Sequence, residues 1–146
     1  MIRHADAHWE GSLREGHGRV RVETATLDAP YSYRSRFGEG RETNPEELLG
    51  AAHAGCFTMA LAAALTAAGH PPRMIDTKAA VHLSPAGGGW AIHLIELETL
   101  ADVPEVDPEG FERIAQDAKA SCPVSKALAG AKIELKAKLA SENVTD

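Results

Sequence analysis

Polar and apolar residues alternate cleanly through Arg19-Val20-Arg21-Val22-Glu23-Thr24, which predicts a strand over residues 19–25 with one face in water. Residues 9–13 are its predicted partner. The two are joined by Arg14-Glu15-Gly16-His17-Gly18, whose glycines suit a hairpin turn. The aromatic alternation of Tyr31-Ser32-Tyr33-Arg34-Ser35-Arg36 predicts a third strand, followed by a Gly-rich connector over 37–42. The period then changes. Asn44-Pro45-Glu46-Glu47 offers a capping residue, a proline suited to the first helical position, and acids that complement the positive end of a helix dipole. The helix that starts there is predicted to run to about Ala68, where Gly69 and then Pro71-Pro72 stop it.

Residues 75–83 and 90–100 flank Ser84-Pro85-Ala86-Gly87-Gly88-Gly89 and predict a second hairpin. A second helix is predicted from Asp107-Pro108-Glu109 to Ala120. It breaks at Cys122-Pro123 and resumes to about Ala129, before a last alternating strand over 133–139. The polar residues 141–146 are expected to fray. The order is βββ-α-ββ-α-β. Strands grouped in hairpins with two intervening helices predict an α+β fold with a mainly antiparallel sheet, in one domain spanning residues 1–146.

Residues 48–68 (LLGAAHAGCFTMALAAALTAA) carry no formal charge, and their length meets the rule for a membrane span. Alanine and glycine dominate, however, and neither transfers strongly into lipid, while no flanking Lys/Arg cluster orients the segment. The alternative is a helix apolar on every side, which has to be buried on every side. A chain of 146 residues has little protein with which to wrap a helix of about 30 Å. A partner subunit on the second face solves this, with Gly50, Ala51, Ala54 and Gly55 permitting close approach. An obligate homodimer is therefore expected.

Composition narrows the function. The net charge of −6 argues against a sequence-independent grip on nucleic acid, which needs clustered Lys and Arg. Met1-Ile2-Arg3-His4-Ala5-Asp6 has no apolar core, so no signal peptide is expected and the chain is placed in the reducing cytoplasm. There the only two cysteines, Cys56 and Cys122, are either inert core thiols or redox groups.

Cys56 sits three turns into the uncharged helix, beyond reach of the helix N-terminus, so burial alone would raise its pKa and leave it unreactive. A reactive Cys56 needs a nearby cation. Pro123 forces Cys122 off helical geometry and makes it the expected cap of the next short helix, partly exposed and mobile. A buried thiol with a mobile one suits an attacking and a resolving cysteine. His53 lies one turn before Cys56, but with Cys56 and Cys122 it makes three ligands, short of a closed tetrahedral zinc site. It is read as a packed core or interface histidine, and no metal or cofactor is expected.

The stretch Asn44-Pro45-Glu46-Glu47-Leu48-Leu49-Gly50-Ala51-Ala52-His53-Ala54-Gly55-Cys56-Phe57-Thr58-Met59-Ala60-Leu61 resembles the first cysteine motif of the osmotically inducible protein C (OsmC) family. Ser121-Cys122-Pro123-Val124-Ser125 resembles its second, and Ala7-His8-Trp9-Glu10-Gly11 and Ile75-Asp76-Thr77 also match. The resemblance covers essentially the whole chain. His53 in place of a Tyr-like residue, with Met59-Ala60-Leu61, looks closer to OsmC proper than to the sister organic hydroperoxide resistance branch.

This resemblance implies an OsmC-like intertwined homodimer with active sites at the subunit interface. It implies a peroxidase of stress and oxidative defence that reduces organic hydroperoxides, and hydrogen peroxide more weakly. Cys56 matches the attacking thiol, Cys122 the resolving thiol, Arg36 the assisting arginine and Glu46 the glutamate, with Arg34 the nearest ambiguity. Arg36 would favour the Cys56 thiolate and hold the peroxide, and Glu46 would orient Arg36. A dithiol such as a lipoyl-type reductant would reopen the resulting disulfide. Phe57 and Leu49 are expected to line an apolar pocket that favours alkyl hydroperoxides. Glu46 and Cys56 are ten positions apart, about 15 Å along a continuous helix. Either the helix breaks near Gly50, or Arg36 and Glu46 serve Cys56 of the partner chain. The rival expectation is a non-catalytic dimer of the same fold that binds apolar ligands, with Cys56 an ordinary core residue.

Overall fold

The computed structural model describes residues 1–140, so the expected fraying of 141–146 lies outside the described residues. Two compact units divide the chain, Met1–Leu48 and a second from Leu49 onward.

The first unit holds β1 (Ala5–Glu10), β2 (His17–Val22), β3 (Asp28–Tyr31) and the short helix α1 (Tyr33–Phe37). The three strands form an antiparallel sheet in the order β1-β2-β3. The predicted third strand over 31–36 is corrected: the strand ends at Tyr31 and a helical turn follows. Ser32 is the reason. Its hydroxyl accepts from the Ser35 N–H while the Ser35 hydroxyl accepts from the Ser32 N–H, a reciprocal cap that starts a helix where the aromatic alternation suggested a strand.

Gly18 sits in register with both Trp9 and Tyr31, whose rings meet edge-on at 5.3 Å. A Cβ there would stand 2.5 Å from the Trp9 ring and 2.7 Å from that of Tyr31. Gly18→Ala is therefore expected to push the rings apart and lower stability by about 1–3 kcal/mol in urea titration. An unchanged midpoint would show that the sheet absorbs the methyl.

Helix α2 runs unbroken from Pro45 to Ala67, close to its predicted ends. The Asn44 side-chain oxygen accepts from the Glu47 N–H at 2.8 Å, as a cap should. The second unit continues with β4 (Met74–Ala86), β5 (Gly89–Asp102), α3 (Pro108–Ser121), α4 (Pro123–Ala127) and β6 (Lys132–Leu139). β4 and β5 are an antiparallel hairpin turned through Gly87 and Gly88, both at positive φ where glycine is favoured. The two helices α3 and α4 carry the chain across so that β6 pairs parallel with β5.

Periodicity explains the core. Along α2, Gly50, His53, Phe57, Leu61 and Leu65 recur at three- and four-residue steps and are buried. Phe111, Ala115, Ala118 and Cys122 make the matching stripe of α3, and Ile95, Leu97 and Ala101 the inward face of β5. A threonine ladder joins the layers: Thr58 of α2 donates to Thr77 of β4 at 2.8 Å, which meets Thr99 of β5 at 3.0 Å. Although α2 is long and apolar enough to cross a membrane, these contacts make it a core helix.

One sequence expectation about α2 changes. Gly50 does not lie on its open face: a Cβ there would touch Val81 and Ala79 of β4. The stripe that stays exposed within the chain runs through Ala52, Gly55, Met59 and Ala63, with Met59 75% exposed.

Candidate active site

The structure brings the four predicted residues together as two pairs, one in each unit. In the first unit the Arg36 guanidinium forks onto Glu46, Nη2 donating to Oε1 at 2.8 Å and Nε at 3.1 Å. Glu46 lies in the first turn of α2 and is 8% exposed, so its carboxylate spends most of its surface on this pair. Local sequence sets the geometry. The Ser35 hydroxyl donates to the Thr43 carbonyl at 2.7 Å, which ties α1 to the residues that lead into α2. Arg34, which a strand would have put on the same face, is not the partner of Glu46, because residues two apart on a helix point to nearly opposite sides.

Beside Arg36 lies an open pocket of about 440 Å³, lined by Trp9, Leu13, Tyr31, Tyr33 and Phe37. The guanidinium stands 5.1 Å from the Phe37 ring centre. Sequence reasoning placed the apolar pocket elsewhere. Phe57 has no exposure and belongs to the core, so it does not line an open pocket in this chain. The aromatic residues at 9, 31 and 33 that line this pocket gave the sequence only strand signals.

In the second unit Cys56 and Cys122 are both free thiols with their sulfurs 3.1 Å apart. The expected exposures are reversed. Cys122 is 0% exposed, whereas Cys56 is half-buried. Pro123 does bend the chain at Cys122, with ψ of 122°, and Cys122 ends α3 and begins α4 as predicted. Yet its side chain extends the buried stripe of α3 by one further turn and points into the core.

Burial raises the pKa of the Cys56 thiol, and its hydrogen bond to Cys122 raises it further. Burial also pushes Cys122 up, but its electrostatic interactions with Cys56, Ser125 and Val124 outweigh it and hold Cys122 below the usual thiol value. The expectation that Cys56 cannot ionise readily unaided agrees with this direction.

His53 is fully buried, and its Nε2 meets the Ser125 hydroxyl at 2.7 Å. Among the described residues no group of three or more His, Cys, Asp or Glu could hold a metal ion. Sequence reasoning took His53 as packing, and noted Ser125 only within the second cysteine motif. The available signal was its spacing, three residues after a helix-capping cysteine.

Comparison with known proteins identifies the family. The family model described as OsmC-like protein matches residues 38–137. The chain is 48% identical over 123 residues to Peroxiredoxin OsmC of Escherichia coli (strain K12), covering 84% of this chain and 86% of that one. An organic hydroperoxide resistance protein OsmC from Legionella pneumophila superposes with a TM-score of 0.72 at 23% identity, over 97% of this chain and 98% of that one. An OsmC-like protein from Mycoplasma pneumoniae reaches 0.75 at 14% identity, over 97% and 99%. At those identities the two structures speak for the fold, and the sequence match carries the family. The chain belongs to the OsmC family.

Proposed function

We propose that this protein is a thiol-dependent peroxidase that reduces organic hydroperoxides, and hydrogen peroxide more weakly. The observation that carries the reading is the pair of free sulfurs 3.1 Å apart at the meeting of α2, α3 and α4. The Cys56 thiolate attacks the terminal oxygen of the hydroperoxide. The O–O bond breaks, and the departing alkoxide takes a proton to leave as the alcohol, with Cys56 now a sulfenic acid. The Cys122 sulfur then attacks that of Cys56, an S–S bond forms, and water leaves. A lipoyl-type or similar dithiol reduces the disulfide by exchange.

Arg36 supplies the positive charge that Cys56 lacks, and Glu46 fixes the fork that holds the peroxide oxygens. The aromatic pocket beside Arg36 receives the organic group. With α2 unbroken through Gly50, the Arg36–Glu46 pair serves Cys56 of a partner subunit, so the working form is a homodimer. The exposed apolar stripe of α2 and the thinly buried sheet β1-β2-β3 support that assembly, since a small sheet needs a covering layer. The reaction suits a reducing cytoplasm and an oxidative-stress role.

Steady-state peroxide consumption tests this reading. Cumene hydroperoxide with dihydrolipoamide is expected to turn over much faster than hydrogen peroxide, and faster than with monothiols. No consumption of either peroxide, together with a Cys56 thiol that alkylates sluggishly below pH 7.5, would favour a non-catalytic apolar-ligand protein instead.

A further inference from the structure

The loop that joins β1 to β2, residues 11–16, is built more tightly than a connector needs. The Gly16 N–H donates to the Ser12 carbonyl at 2.8 Å and the Glu15 N–H to the Ser12 hydroxyl at 3.2 Å, so the loop closes on itself. Gly16 has no room for a Cβ, which would run into the carbonyl oxygens of Glu10 and Ser12. The base of the loop is pinned from the pocket side, where the Trp9 indole N–H donates to the Gly11 carbonyl at 3.1 Å. Its tip is pinned by Arg14, whose guanidinium lies 4.7 Å from the centre of the Tyr33 ring.

The tip contact belongs to a longer stack. Tyr33 and Phe37, one turn apart on α1, hold their ring centres 5.0 Å apart, and Arg36 stands on Phe37. The order is Arg14, Tyr33, Phe37, Arg36. The loop is thereby fastened to the same aromatic pair that carries the guanidinium paired with Glu46. Between the two fastenings sits Leu13, which lines the pocket and is nonetheless 63% exposed. A leucine held there offers apolar surface that a guest in the pocket would cover.

We infer that, given the peroxidase reading above, Leu13 is a specificity-determining residue of the aromatic pocket and Arg14 a positioning residue that holds it there, together selecting hydroperoxides with a bulky aryl group. The lining sets the class of substrate. Trp9, Tyr31, Tyr33 and Phe37 offer ring faces and edges, which meet another ring better than they meet a methyl group. Leu13 adds an aliphatic wall, and a pocket of about 440 Å³ has room for such a group. Hydrogen peroxide has nothing that reaches Leu13, so the loop widens the gap between the two kinds of substrate.

Binding of cumyl alcohol, the product of cumene hydroperoxide, tests this without turnover. Trp9 and Trp90 are the only tryptophans, so in a Trp90→Phe background Trp9 fluorescence reports the pocket. Leu13→Ala is expected to weaken cumyl alcohol binding about tenfold, and Arg14→Ala about threefold. Arg14→Lys, which keeps a cation over the ring, is expected to recover most of that smaller loss. Adding Arg14→Ala to Leu13→Ala is expected to cost nothing further, because a residue that acts through Leu13 has nothing left to place. With peroxides, the ratio of the rate constants for cumene and tert-butyl hydroperoxide is expected to fall about tenfold in Leu13→Ala. Both side chains stand in solvent, so the variants keep the fold. Cumyl alcohol that does not bind, or binding that ignores Leu13→Ala, would overturn the inference, and losses that simply add in the double variant would overturn the part given to Arg14. Binding needs no thiol. A protein that binds cumyl alcohol through Leu13 yet consumes no peroxide would sink the peroxidase reading and leave the assignment of the pocket wall standing.

Discussion

Cys56→Ser is expected to abolish hydroperoxide consumption, whereas Cys122→Ser is expected to permit one equivalent of peroxide per site and then stop. The asymmetry follows from the chemistry of sulfur. A serine hydroxyl does not ionise near neutrality and cannot become a sulfenic acid, so the first replacement removes the acceptor of the peroxide oxygen. The second leaves that acceptor in place but removes the sulfur 3.1 Å away that would close the cycle. Mass spectrometry after a stoichiometric pulse of cumene hydroperoxide checks both. A gain of one oxygen on Cys56 is expected in Cys122→Ser, and none on Cys122 in Cys56→Ser. Oxidation found on Cys122 instead would exchange the two roles. That outcome has physical interest, because burial and the contact with Cys122 push the Cys56 thiol up.

Arg36→Met is expected to lower the second-order rate constant for cumene hydroperoxide by about a hundredfold, through two losses. Removing a cation that favours the thiolate costs one to a few pKa units, and removing a preorganised fork for the reacting oxygens costs about as much as losing an oxyanion donor. The damage goes further, because Glu46 is left as an unpaired and nearly buried carboxylate. Glu46→Gln is accordingly expected to be milder, since it frees the guanidinium without stranding a charge. Combining the two is expected to cost less than the sum. Rates measured by competition with a fluorescent thiol reagent would check the ranking. Equal damage from both single changes would mean that Glu46 does more than orient Arg36.

Sequence made α2 legible because three independent signals agreed at its start and glycine closed its end. The β4–β5 hairpin was equally plain from its run of glycines. Tyr31 to Arg36 was misread because six residues of aromatic alternation cannot outweigh a reciprocal Ser32–Ser35 cap, and that cap is visible only if serines three apart are sought. Cys122 was placed on the surface because Pro123 drew attention to the break. The period Phe111, Ala115, Ala118, Cys122 was already present and pointed inward. The roles of Arg36 and Glu46 had a different status. An arginine and an acid ten positions apart carry no pattern of their own, and only the family resemblance singled them out. The His53–Ser125 contact joins positions 72 apart, a separation that no local pattern reports.

The two sulfurs touch across 66 positions of chain. Joining them covalently would tie that whole loop shut in the unfolded ensemble, which by loop-closure entropy favours the native state by about 4 kcal/mol. The spent enzyme would then be harder to unfold than the enzyme ready to work, and proteases that act on opened chains would clear the reduced form first. For such a protein, lifetime in the cell becomes a record of recent peroxide exposure, and molecules that have just met peroxide outlast those that have not.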